Sequence, residues 1–154
     1  MITAILKQIC SDSGCSLVIY EQVRLANLYA DHSNQIDTVA IIMQPERMTL
    51  EVKANAIMEH YKPMIIEVIA QVQMEDSADN NEAQLQYLLA VCKEIITRII
   101  AAGVFKTIKP AVLDKVLESR YDANVIGWRM SIDLLYLHNE TKYPCVSPPL
   151  YSFT

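Results

Sequence analysis

Two stretches of the chain carry apolar residues at helical spacing. The first lies at the N-terminus and is followed by Gly14, at the position of a left-handed helix cap. The second runs over residues 81–102, with Glu94 four residues before Arg98 on its polar side and Gly103 directly after it. The apolar residues of the two stretches are Ile2, Ile5, Leu6 and Ile9, and then Leu85, Leu88, Leu89, Cys92, Ile95, Ile96 and Ile99. The spacing predicts a short N-terminal helix and a long helix over residues 81–102.

Two apolar runs in the first third of the chain predict strands. SLVIY, residues 16–20, is rich in β-formers. IDTVAIIMQP, residues 36–45, is almost continuously apolar and ends at a proline, which predicts a strand buried on both faces of a sheet. Between them, residues 21–35 fit neither period, and we expect the end of a strand followed by a short helix or a loop.

Strict alternation of apolar and polar residues predicts longer strands further along. In TLEVKANAIMEHYK, residues 49–62, Leu50, Val52 and Met58 fall on one face and charged residues on the other, as in a strand with one solvated face. PMIIEVIAQVQM, residues 63–74, continues the alternation after a break at Pro63, and the two segments together predict a long hairpin. WRMSIDLLYL, residues 128–137, predicts the last strand, while residues 111–122 are expected to begin as a helix and end as a strand.

A turn is predicted before the last strand, in the octet YDANVIGW. The chain has only three glycines in 154 residues, so each is expected where the backbone has a special requirement. Asp122 and Asn124 favour turns through local hydrogen bonds, and Gly127 can supply a positive φ. These three residues are therefore the predicted structural turn of a closing hairpin.

The elements together predict an α+β fold. We expect a mixed, mainly antiparallel sheet of about four to six strands with two main helices, in the order α-β-(short α or loop)-β-β-β-α-β-β. Residues 1–140 form the predicted single domain. Residues 141–154 carry three prolines and few core residues, and they predict an extended C-terminal arm that orders against a partner. Its candidate intersubunit residues are Pro148, Pro149, Tyr151 and Phe153.

Composition and charge narrow the classes of function. Hydrophobic residues make up 52% of the chain, enough for a packed core, and no apolar run reaches the length of a membrane helix. Thirteen basic and eighteen acidic residues give a net charge of −5, which argues against wrapping nucleic acid and suits a surface that repels it. The candidate solvent-facing or lumen-facing acidic residues are Glu51, Glu59 and Glu67, on the polar side of the alternating strands.

Residues that carry chemistry are scattered along the sequence. The four cysteines lack metal-binding spacing and predict reduced structural thiols, and no two glycines stand close enough for a phosphate-binding loop. Each histidine is isolated, so a solvated or weakly paired role is expected for His32, His60 and His138. We therefore expect no catalytic, metal-binding or cofactor-binding site, and no cofactor.

The order of elements resembles the small tail-terminator and neck proteins of tailed bacteriophages. Three details add to the resemblance: the strand IDTVAIIMQP ending in proline, the closing segment YDANVIGWRMSIDLLYL, and the cysteine of KYPCV in the tail after the last strand, which is similar to phage proteins of Bacteroides viruses. The likeness covers residues 1–145 as topology, and its motifs are short.

This resemblance implies a structural virion protein with no catalytic residues, assembled in the host cytoplasm. It implies a sixfold or twelvefold ring in contact with portal, connector or tail proteins, with DNA passing through the lumen without sequence-specific binding and no contact with a membrane. An acidic lumen would repel DNA phosphates over about 8–10 Å. The tail beyond residue 140 is longer than a tail terminator requires, so a neck or connector ring is an equal expectation.

Two other classes of function stay open on the sequence alone. One is a small cytosolic binding or regulatory domain that oligomerises through the edges of its sheet. The other is an enzyme that uses His138 or Cys145, although the sequence predicts nothing that would orient these two side chains.

Overall fold

The computed structural model describes residues 2–20, 38–43, 47–54, 56–72, 78–120 and 123–137. Two helices and seven strands lie in these ranges. In chain order they are α1 (Ile2–Asp12), β1 (Leu17–Ile19), β2 (Val39–Met43), β3 (Met48–Lys53), β4 (Ala56–Gln71), α2 (Ala78–Ala102), β5 (Phe105–Ile108), β6 (Val112–Arg120) and β7 (Ala123–Tyr136). The predicted α+β class is confirmed, with more strands than the four to six expected.

The two longest strands, β4 and β7, pair antiparallel at the centre of one sheet. On the far side of β4, β2 pairs with its C-terminal half and β3 with its N-terminal half, both antiparallel. On the far side of β7, β6 and β5 pair in the same manner. Only β1, which lies beside β2, pairs in parallel. The sheet is therefore mixed and mainly antiparallel, as predicted.

The core lies between the two helices and one face of the sheet. Leu6 of α1, Leu88 and Ile95 of α2, and Ile66 and Met130 of the central strands are all fully buried there. Trp128 docks α2 on the sheet because its indole Nε1 donates to the Leu85 carbonyl at 3.0 Å. The opposite face of the sheet holds a smaller buried cluster of Ile19, Val39, Ile41, Ile69, Val116 and Val125.

Both helices end as the sequence predicts. Gly14 and Gly103 follow α1 and α2 with φ of 104° and 71°, which glycine adopts without steric cost. The expected pair on the outside of α2 is present, with Arg98 Nε 2.9 Å from Glu94 Oε1. The prediction that residues 36–45 hold a strand buried on both faces is also confirmed, because Val39–Ile42 are fully buried.

Three predicted elements need correction. The long hairpin reverses between Lys53 and Ala56, where Ala54 has a positive φ of 45°, and not at Pro63, which β4 passes with a shift of register. Residues 112–120 form β6 throughout, without the helical start that was expected. Phe105–Ile108 form the strand β5, which was not among the predicted elements.

The predicted turn around Gly127 is wrong as well. The last hairpin closes between Arg120 and Ala123, so Asn124 and Gly127 both lie inside β7. Asp122 lies outside the described residues. Gly127 is required for another reason: a Cβ atom there would lie 2.0 Å from the Val68 carbonyl oxygen of β4. The glycine therefore permits a close approach of two central strands.

Candidate assembly surface

Exposed apolar side chains gather on the hairpin formed by β3 and the start of β4. Met48 is 43% exposed, Leu50 56%, Val52 73% and Ile57 38%. We call these four residues the hairpin patch. Their register places them on one face, since Val52 lies opposite Ile57, and Met48 opposite Tyr61, which is in the core. The patch therefore extends the helix-bearing face of the sheet beyond the part that the helices cover.

The reversal at Ala54 changes which residues share that face. Alternation predicted Met58 on the side of Leu50 and Val52, but Met58 pairs with Glu51 and is buried on the other side. The apolar side of β3 is exposed, and the side that alternation predicted to be solvated holds a buried cluster. The face of the hairpin that was expected to be solvated therefore holds buried residues, and the apolar face of β3 is exposed.

That buried cluster is polar and joins three elements. His60 of β4 is buried, and its Nδ1 lies 2.9 Å from Glu51 Oε1 of β3, while its Nε2 lies 2.5 Å from Asp133 Oδ1 of β7. Lys109 Nζ lies 3.6 Å from the other oxygen of Asp133. We call these four residues the polar clamp. Each ring nitrogen of His60 is therefore paired with a carboxylate from a different strand.

The clamp corrects the expectation of a solvated or weakly paired role for His60, because the ring is buried and both of its nitrogens contact carboxylates. Within the described ranges, no group of three or more His, Cys, Asp and Glu has the geometry to hold a metal ion. The arrangement is suited to fixing β3 against β4 and β7.

The three candidate acidic residues do not form one solvated surface. Glu67 is fully buried, which contradicts its predicted exposure, and it accepts from Arg129 Nη2 at 2.7 Å and Nε at 2.9 Å across the central strands. Glu51 belongs to the clamp on one face of the hairpin. Glu59 lies on the opposite face, where its Oε2 accepts from the Tyr61 hydroxyl at 2.8 Å. Burial, with a contribution from Glu59, raises the pKa of the Tyr61 phenol.

β3 and β6 are outer strands of the sheet, and both carry exposed apolar residues. In the part of the chain that the structure describes, β3 pairs only with β4, and β6 pairs only with β7. Val112 and Leu117 of β6 are 57% and 58% exposed. Unpaired strand edges with apolar side chains beside them are sites where another chain can add to a sheet.

The thiols that the structure describes lie inside the core. Cys10, Cys15 and Cys92 are free and buried between the helices and the sheet, as the sequence predicts for structural thiols. Burial raises the pKa of the Cys15 thiol to about 11 and that of Cys92 to about 12. Burial also raises the pKa of Cys10, with the two other thiols adding to the effect. All three are therefore protonated and unreactive near neutral pH.

Some of the predicted site residues lie outside the candidate surface. The arm residues Pro148, Pro149, Tyr151 and Phe153 lie outside the described residues. The exposure of the hairpin patch and the pairing of His60 with Asp133 were not predicted, because the sequence does not show which strands become neighbours. None of the described helices is both long and apolar enough to cross a membrane.

Comparison of the chain with protein-family models and with curated proteins gave no significant match.

Proposed function

We propose that this protein is a structural virion subunit that forms a ring in the head-to-tail connector, neck or tail of a bacteriophage. The observation that carries the proposal is the hairpin patch, four apolar side chains exposed at the edge of a sheet. Apolar surface that is concentrated in this way marks a site of protein association. A subunit that is buried in an assembly has such a surface when it is isolated.

The two outer strands support a closed ring. β3 and β6 lie on opposite sides of the β4–β7 pair, and each carries its own exposed apolar residues. A subunit that uses different surfaces toward its two neighbours makes heterologous contacts, which close into a ring when the rotation permits. The proposed ring is sixfold or twelvefold and contacts portal, connector or tail proteins.

The proposed lumen carries DNA without gripping it. The chain has a net charge of −5, and a channel with this balance repels phosphates over about a Debye length. Since Glu67 is buried, and Glu51 and Glu59 lie on opposite faces of the hairpin, these three residues do not line the lumen together.

A ring of defined size is the direct test. Native mass spectrometry and negative-stain images of the full chain, alone and mixed with portal and tail-tube proteins of the same phage, should show six or twelve copies in a closed ring. Detection of the chain in purified virions would place it in the particle. A chain that stays monomeric with every such neighbour contradicts the proposal.

The open strand edges favour one second candidate, a small binding or regulatory domain that dimerises through its sheet. The same mass measurement separates the two candidates, because this one gives two copies and no ring. A ligand that raises the melting temperature of the dimer would support it.

A further inference from the structure

We infer that the hairpin patch of one subunit binds the C-terminal segment, residues 141–154, of a neighbouring copy. This inference rests on the proposed ring, and it names the contact that joins its subunits. It extends the expectation of an intersubunit arm by giving the arm a binding surface.

The patch is left uncovered by the part of the chain that the structure describes. Val52 is 73% and Leu50 56% exposed. Burying apolar side chains of this size stabilises an association. The described core does not provide that burial, so it is available to the segment of a second copy.

The composition of the segment matches the patch. Residues 143–154, YPCVSPPLYSFT, contain no charged side chain, and they combine prolines with Val146, Leu150, Tyr151 and Phe153. Prolines hold a chain extended with little loss of entropy on binding. An extended apolar segment fits the outer side of β3, where the exposed side chains lie beside an edge that can accept another strand.

The register of the sheet places the end of β7, which precedes the segment in the chain, at the same level along the strand direction as the patch. Tyr136, at the end of β7, lies opposite Glu59 of β4, and Glu59 lies opposite Leu50 of β3. The chain therefore leaves the sheet at the level of Leu50, two strands or about 10 Å away from that residue. In a ring whose axis runs along the strands, the neighbouring subunit would present its patch at the same level along that axis.

The length of the segment is sufficient. Residues 141–154 span up to about 46 Å when extended at about 3.3 Å per residue. At the end of the sheet where β3 pairs with β4, four strands lie side by side in the order β3, β4, β7 and β5. This end is about 20 Å wide at normal strand spacing. The segment can cross its own subunit and reach the next one.

A disulfide test uses the cysteine that the segment already carries. In Val52→Cys the new thiol lies in the patch, Cys145 lies in the segment, and the three other cysteines are buried. Mild oxidation of the full chain should give a covalent ladder of dimers, trimers and higher multimers on a denaturing gel. The matched control is Tyr87→Cys, since Tyr87 is a large side chain on α2 with 57% exposure.

The ladder should form at least about tenfold faster in Val52→Cys than in Tyr87→Cys, because binding raises the effective concentration of the two thiols. In Val52→Cys combined with Cys145→Ser it should stop at dimers. The inference is overturned if the ladder forms equally fast in Tyr87→Cys, or if the disulfide forms within one chain.

Charged substitutions give an independent readout of the same contact. Leu50→Asp should lower the oligomeric fraction of the full chain at least about tenfold, while Tyr87→Asp should leave it unchanged. Circular dichroism of both variants should show a folded protein, since both side chains are more than half exposed. If Leu50→Asp still forms complete rings, the contact is elsewhere and the proposed ring stands. If the unmodified chain forms no ring with its neighbours, the ring and this contact both fail.

Discussion

Gly127 shows how one residue can be required by its neighbours and not by its own conformation. Its φ lies outside the left-handed region, yet the Val68 oxygen and the Ile69 Cα occupy the space that a Cβ would need. The sequence marked this glycine as special through rarity alone. It could not show that the requirement comes from a strand nearly sixty residues earlier in the chain.

Replacing this glycine should destabilise the fold strongly. We expect Gly127→Ala to lower the free energy of unfolding by about 3 kcal/mol or more, since the carbonyl at 2.0 Å belongs to paired backbone that cannot move freely. Gly103→Ala is the control, with open space around the new Cβ and only the strain of its positive φ, about 1–2 kcal/mol. Urea unfolding measures both. Equal costs at the two sites would contradict this account.

The Glu67–Arg129 pair is the second residue whose role depends on burial. Arg129→Met leaves the fully buried Glu67 carboxylate without this partner, and we expect a loss of about 3–5 kcal/mol in the free energy of unfolding. The control is Arg98→Met, because Arg98 pairs with Glu94 on the surface of α2 and the loss there should be about 0.5 kcal/mol.

Combining Arg129→Met with Glu67→Leu should recover most of the lost stability, since no buried charge then remains at that position. A double variant as unstable as Arg129→Met alone would show that the cost comes from lost packing instead of an uncompensated charge.

The buried thiols give the protein a specific response to alkali. Their pKa values in the folded chain lie above the ordinary value of 9.0, at about 11 for Cys15. Between these values the unfolded chain loses a proton that the folded chain keeps, so stability is complete below pH 9 and falls as the pH rises. We expect a slope of about 1.4 kcal/mol per pH unit from this thiol.

Urea unfolding between pH 8 and 11 measures the slope, and Cys15→Ala should reduce it. A variant with the same alkaline slope as the original chain would show that Cys15 does not carry this part of the response.

At the scale of elements, the strongly periodic long helix was predicted correctly, and the position of the hairpin turn was not. The long helix was expected over residues 81–102 and is observed over Ala78–Ala102, because its apolar stripe packs on the sheet. The chain reverses between Lys53 and Ala56, where the sequence has neither glycine nor proline, and Pro63 lies inside β4, so the usual sequence signals pointed to the wrong place.

The burial of the hairpin could not be predicted from the sequence. Alternation along β3 assigns residues to two faces but does not say which face meets the core. The polar clamp decides this, since Asp133 reaches His60 from a strand 73 residues away. The candidate surface was therefore visible in the sequence as a pattern, and its exposure only in the structure.

The clamp should hold β3 in place. Glutamine in His60→Gln cannot reach Glu51 and Asp133 from both sides, so we expect faster hydrogen exchange in residues 48–53 with little change in α2. Exchange mass spectrometry on peptides from the full chain measures both regions. Unchanged protection of β3 would show that its pairing with β4 suffices without the clamp.

At the scale of the whole molecule, the described part of the chain combines a well-packed interior with apolar residues concentrated at the edges of its sheet. The interior explains why the described elements hold together: both faces of the sheet carry buried clusters. The edges explain the proposed assembly, because Val52 and Leu117 remain more than half exposed on opposite sides of the central strands.

The mass of the particle that the full chain forms tests this account most directly. Native mass spectrometry, with the portal and tail-tube proteins supplied where needed, should give six or twelve copies, and electron microscopy should show them as one closed ring. A strict monomer, or a dimer that never exceeds two copies in the presence of those proteins, would contradict the central claim.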